Sequence, residues 1–115
     1  MLTIYHNPRC SKSRETLALL EARGLTPTVI PYLTTPPSAD ELMRLKQKLG
    51  FSSFRQMMRS KDELFKELGL QDPAVDEAQL LAQLVAHPAL LERPLVVNGE
   101  QARLGRPPEQ VLEIL

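Results

Sequence analysis

Cysteine occurs once in this chain, glycine five times, and the formal net charge is zero. One thiol can make neither an internal disulfide nor a cysteine-rich zinc site. Any redox cycle must therefore draw on a thiol from outside the chain. Fourteen basic residues balance fourteen acidic ones, so no bulk field recruits nucleic acid or an anionic membrane. An anion handled here must be held by a local cluster of charge. No apolar run approaches the ~18 residues that cross a bilayer. The opening "MLTIYHNPRC" also lacks the basic start and long apolar segment of a secretory signal. There is no glycine-rich phosphate loop, no His/Asp/Glu spacing that predicts a metal, and no Ser-His-Asp context. These absences lead to the expectation of a soluble cytoplasmic protein in a reducing compartment. Its 115 residues make one domain, 1–115, with a core of its own.

What is present is an α/β pattern. Leu2-Thr3-Ile4-Tyr5 reads as a strand closed by the Asn7-Pro8 turn. From Ser11 to Arg23, Thr16, Leu17, Leu19 and Leu20 share one side of a helix, and Gly24 suits the position just past its end. Thr28–Leu33 reads as a second strand, and Pro31, which lacks an N–H, argues for an edge position or a bulge. Residues ~38 to ~90 read as three or four consecutive helices. Ser38 and Glu41 match a capping box before Leu42, Leu45 and Leu49. Phe54, Met57 and Met58 form a short apolar stripe, with the methionines as core filler. Leu64, Phe65 and Leu68 form another. Asp76 caps a helix that stops near His87-Pro88, where His87 is structural. Leu95–Val97, Asn98-Gly99 and Gln101–Leu104 predict a hairpin with a type I′ turn. Pro107-Pro108 opens a last helix with Val111, Leu112, Ile114 and Leu115 as its apolar side.

The single cysteine sits in "YHNPRCSKSR". A lone cysteine is ordinarily a small buried hydrophobe, yet a proline, an arginine and a lysine within two residues do not describe a core position. Cys10 falls between a strand end and a helix start, where unpaired amide N–H groups favour a thiolate. Arg9, Lys12 and Arg14 are expected to add positive charge. Such placement lowers a thiol pKa from about 8.5 by one to several units. Ser13, one helical turn on, is expected to donate its hydroxyl to the sulfur. His6 is read two ways: as an imidazolium or proton carrier beside the thiolate, or as a hydrogen-bonded structural histidine. Arg93 and Arg106 flank the hairpin. If the hairpin packs beside the first strand, both lie at the same end of the sheet as Cys10. Their planar forks suit a tetrahedral oxyanion.

"YHNPRCSKSRETL", "RQMMRS" and "RPLVVNGEQARLGRPPEQVLEIL" together resemble the glutaredoxin-linked arsenate reductase family, closest to its short arsenate reductase-like members. The likeness runs along essentially the whole chain. It implies a thioredoxin-like fold with an inserted helical subdomain. It also implies reduction of arsenate to arsenite through a Cys10 adduct, with glutathione as co-substrate, glutaredoxin as partner and no bound cofactor. The family nucleophile falls on Cys10, and the three oxyanion-cradling arginines fall on Arg59, Arg93 and Arg106. His6, Ser13 and Arg14 fall in supporting positions, and Pro94 matches the proline that such folds hold in cis. A monomer is expected. Two other readings stay open: a glutathione-dependent oxidoreductase acting on protein disulfides through Cys10, and a non-catalytic regulator of the same fold. Regulators of that kind carry Cys-x-x-Cys, and Ser13 removes the second cysteine here.

Overall fold

The computed structural model describes residues 1–115 and divides them into two compact units, 1–35 with 93–115, and 36–92. The first unit holds β1 (Leu2–Tyr5), α1 (Ser11–Ala22), β2 (Thr28–Ile30), β3 (Leu95–Asn98) and β4 (Gln101–Leu104). A 3-10 helix, Pro108–Ile114, completes it. The four strands form one sheet in the order β2-β1-β3-β4. β1 runs parallel to β2, and β3 is antiparallel to both β1 and β4. The β1–α1–β2 crossover followed by an antiparallel hairpin is a thioredoxin-like arrangement, interrupted between β2 and β3 by the second unit. The expected insertion at ~38–90 therefore corresponds to 36–92.

Strand alternation sets the core of this unit. Ile4 and Val96 pair across the β1–β3 ladder and meet Leu20 of α1 and Val111 and Ile114 of the terminal 3-10 helix. Leu2, Leu17, Leu19 and Leu25 pack around them. α1 closes with a Schellman motif, the amides of Gly24 and Leu25 donating to the carbonyls of Glu21 and Leu20.

Three local expectations are corrected. β2 stops at Ile30, because Pro31 starts a turn whose carbonyl accepts from the Thr34 and Thr35 amides at 2.9 Å. β2 does lie at the sheet edge. The hairpin turn is Gly99-Glu100 and not Asn98-Gly99, since Asn98 pairs with Gln101. Only Gly99 has positive φ (62°) there, which matches the II′ class with glycine first. The last helix is 3-10, not α. Pro108, Val111 and Ile114, three residues apart, are its buried face, which is the period of a 3-10 helix. Leu115 is exposed.

The second unit comprises α2 (Ala39–Leu49), a 3-10 turn at Phe54–Met57, α3 (Glu63–Glu67), α4 (Glu77–Ala86) and a 3-10 turn at Pro88–Leu90. The Ser38 hydroxyl caps α2 by accepting from the Glu41 amide, and Asp76 and Gln79 form a capping box on α4. Leu42, Leu45, Leu49, Met57, Met58, Leu80 and Leu84 are buried, so the methionines do fill core. His87 caps the end of α4 through its backbone amide, which donates to the Gln83 carbonyl at 2.8 Å.

Glu77 ties this unit together. Its carboxylate accepts from the Phe54 amide at 2.8 Å and the Ser53 hydroxyl at 2.7 Å, with Lys46 Nζ 3.6 Å away. Partial burial pushes its pKa up, but the Phe54 amide, the Ser53 hydroxyl and Lys46 outweigh that and lower it below the ordinary glutamate value. A folded pKa below the unfolded one stabilises the fold above the unfolded pKa, and that stability is lost as pH falls through the folded value. Glu77→Gln is therefore expected to lower the midpoint of urea unfolding at pH 7. The gap to wild type should close below the ordinary glutamate range. A gap that is constant with pH would contradict this.

Candidate active site

The register of the sheet decides what surrounds Cys10. Tyr5, the last residue of β1, pairs with Leu95, and Leu95 pairs with Leu104. The residues before Leu95 and after Leu104 thus lie at the end of the sheet where β1 gives way to the loop 6–10. This brings Arg93, Pro94, Gly105 and Arg106 to the same end as Cys10, as the hairpin's position predicts. Arg93-Pro94 is cis, and so is Arg106-Pro107, which sequence reasoning does not single out. The Gly105 amide donates to the Pro94 carbonyl at 2.9 Å, and Arg106 Nη1 donates to the Arg93 carbonyl at 3.1 Å.

The loop itself is built by short-range bonds. The Asn7 carbonyl accepts from the Cys10 amide at 3.0 Å, closing a turn with proline at its second position. Asn7 Oδ1 accepts from the Arg9 amide at 3.0 Å. Arg14 reaches back from α1, its Nη1 donating to the Pro8 carbonyl at 2.9 Å. The Ser13 hydroxyl oxygen accepts from the Asn7 amide at 3.0 Å and lies 2.6 Å from His6 Nδ1. Ser13 and His6 are both buried.

Cys10 is the N-cap of α1, in extended conformation (φ −91°, ψ 124°). Its thiol is free and half-buried. No formal capping bond closes onto the sulfur, but the amides of Ser13 and Lys12 act on it as the helix begins. Burial is the largest single influence and pushes the thiol pKa up. The Ser13 amide, the Arg93 guanidinium, the Lys12 amide and the Arg106 guanidinium together outweigh it, so the pKa is lowered from its ordinary value.

Several sequence expectations change here. The charges that lower the pKa of the sulfur come from Arg93 and Arg106, and not from its neighbours in sequence. Lys12 pairs with Glu15 at 3.5 Å, and Arg14 is spent on the Pro8 carbonyl. Ser13 acts on the sulfur through its backbone N–H, while its hydroxyl bonds the loop. Burial first, and Arg14 second, lower the His6 pKa. That direction disfavours an imidazolium, and the bond from the ring to Ser13 fits the hydrogen-bonded histidine. Arg59 belongs to the second unit, where Nη1 lies 3.0 Å from Asp62 Oδ2 and its amide donates to the Leu90 carbonyl at 2.7 Å. No group of His, Cys, Asp or Glu in the chain converges to hold a metal ion, and no helix is long and apolar enough to cross a membrane.

Gly105 is the residue that sequence reasoning missed. A Cβ on it would stand 2.5 Å from Thr16 Oγ1, 2.7 Å from Pro94 Cγ and 3.2 Å from Thr16 Cγ2. The only sequence signal is a glycine directly before Arg106.

A half-buried thiol of lowered pKa at a helix N-terminus, with two arginines beside it, is equipped to attack an electrophile and to hold an oxyanion. Residues 5–114 match the model of the ArsC family. The chain is 54% identical over 112 residues to an arsenate reductase of Haemophilus influenzae, covering 97% of both proteins. It is 52% identical to one from Neisseria meningitidis, covering 99% of this chain and 97% of that protein. The solved structure of an arsenate reductase from Vibrio cholerae superposes with a TM-score of 0.97 at 60% identity, covering 99% of this chain and 97% of that one. The chain belongs to the ArsC family.

Proposed function

We propose that the protein reduces arsenate to arsenite, with Cys10 as nucleophile and reduced glutathione and glutaredoxin as electron donors. The observation that carries this reading is the free, half-buried Cys10 at the N-terminus of α1, at the same end of the sheet as Arg93 and Arg106. Arsenate is a tetrahedral oxyanion, and the relatives from Haemophilus influenzae, Neisseria meningitidis and Vibrio cholerae are named arsenate reductases. The Cys10 thiolate attacks arsenic, an As–S bond forms, and one arsenate oxygen leaves as water after protonation. Arg93 and Arg106 neutralise the charge that develops on the remaining oxygens. Glutathione then adds its sulfur to arsenic with loss of a second water. A glutaredoxin thiolate attacks the glutathione sulfur, making a mixed disulfide. The As–S(glutathione) electron pair returns to arsenic, which falls from As(V) to As(III). Hydrolysis frees arsenite and regenerates the thiol. A chain with one cysteine suits this scheme, since both resolving thiols come from outside. In this scheme Arg14 and His6 hold the loop and Ser13 in place, and Pro94 carries Arg93.

The test is NADPH consumption in an assay coupled through glutathione reductase, with glutathione and glutaredoxin present. Arsenate-dependent oxidation that stops when either thiol donor is withheld is the expected result. Turnover with disulfide substrates and none with arsenate would replace this reading with a thiol–disulfide exchange enzyme.

A further inference from the structure

Three stretches far apart in sequence meet at Gly105. α1 contributes Thr16, fully buried and six residues beyond Cys10, whose hydroxyl donates to the Lys12 carbonyl at 2.8 Å. The segment before β3 contributes Pro94, whose carbonyl accepts from the Gly105 amide. The segment after β4 continues directly into Arg106, which bonds the Arg93 carbonyl. All three close in because Gly105 has no side chain. Contacts of 2.5 and 2.7 Å are closer than real Cβ atoms tolerate, and neither neighbour yields easily. Thr16 is β-branched and held by its own hydrogen bond, and Pro94 is a ring.

We propose that Gly105 is a positioning residue that sets the distance between the N-terminal end of α1 and the Arg93–Arg106 pair, and so sets the reactivity of Cys10. The two sources of positive potential at the sulfur sit on separate segments: the amides of Lys12 and Ser13 on α1, and the guanidiniums at the hairpin ends. Gly105 is where these segments touch. An added methyl group wedges them apart and weakens the field at the sulfur from both sides. This rests on the reading of Cys10 as nucleophile, but its test needs no arsenate.

The experiment measures the rate of iodoacetamide alkylation of Cys10 against pH in wild type, Gly105→Ala and Thr16→Ala, with thermal unfolding in parallel. Thr16→Ala removes the atoms that abut Gly105 and places a strong helix former in α1, so it folds even if Gly105→Ala does not. Leu84→Ala, a core truncation in the second unit, controls for lost stability alone. Gly105→Ala is expected to move the alkylation midpoint up and to slow alkylation about tenfold at a pH below both midpoints. Thr16→Ala, which removes spacing atoms where Gly105→Ala adds one, should move it slightly the other way, and Leu84→Ala not at all. A wild-type midpoint in whichever of the two site variants folds would overturn the proposal. So would an equal shift in Leu84→Ala. Failure of arsenate turnover in wild type, with these shifts intact, would sink the proposed reaction and leave the role of Gly105 standing.

Discussion

Cys10→Ser is expected to reduce arsenate-dependent turnover to the rate without enzyme, a loss of at least about 10³-fold. Serine keeps the shape of the residue but not its ionisation. An alcohol stays protonated where this thiol is lowered from its ordinary pKa by Ser13, Lys12, Arg93 and Arg106. Serine is also among the best N-cap residues, and Cys10 occupies the N-cap of α1. The variant should therefore melt at or slightly above the wild-type temperature. That pairing of a dead enzyme with an intact fold separates chemistry from stability. A variant that retains a tenth of wild-type turnover would remove the covalent adduct from the mechanism.

Arg93→Ala is expected to lower kcat/KM for arsenate by about 10²–10³-fold, the usual effect of removing one preorganised oxyanion donor. Two losses combine in it. The oxyanion loses a fork of N–H donors, and the sulfur loses the stronger of its two guanidinium influences, so its pKa rises. Arg106→Lys should also impair turnover despite conserving charge. Lysine presents a point charge and no fork, and it cannot reproduce the bond from Arg106 Nη1 to the Arg93 carbonyl. Steady-state kinetics at several pH values would resolve the two parts of the Arg93 effect. Part of the deficit should shrink at high pH, where the thiol ionises unaided. An unchanged kcat/KM in Arg93→Ala would defeat its assignment.

Much of this was legible in the sequence because the signals are local. A strand ending at Tyr5 before the Asn7-Pro8 turn, a helix starting at Ser11 and an Asp76 cap each depend on residues a turn apart, and each stands where its pattern puts it. The placement of Arg93 and Arg106 beside Cys10 followed from one assumption, that the hairpin pairs with β1, and the register bears it out. What could not be read depended on long-range contacts. Asn98 looked like a turn residue but is drawn into the strand, where it pairs with Gln101 and donates from Nδ2 to the Ile114 carbonyl. That displaces the turn by one residue. The last helix was read with a period of 3.6 because Val111, Leu112, Ile114 and Leu115 allow it. Packing selected the period of three shared by Pro108, Val111 and Ile114.

The site shows the same division. Adjacency in sequence suggested that Arg9, Lys12 and Arg14 charge the sulfur, yet a side chain one turn along a helix points where its own partners lie. Lys12 faces Glu15, and Arg14 folds back onto Pro8. Gly105 gave no warning, because a missing Cβ matters only when Thr16 and Pro94 arrive from elsewhere.

The most direct measurement is the ionisation of the one sulfur, followed by thiolate absorbance near the ultraviolet edge as pH is raised, with Cys10→Ser as the blank. A midpoint clearly below that of a free cysteine, moving upward in Arg93→Ala, is the predicted result. A midpoint at or above the free-thiol value, indifferent to Arg93, would contradict the account.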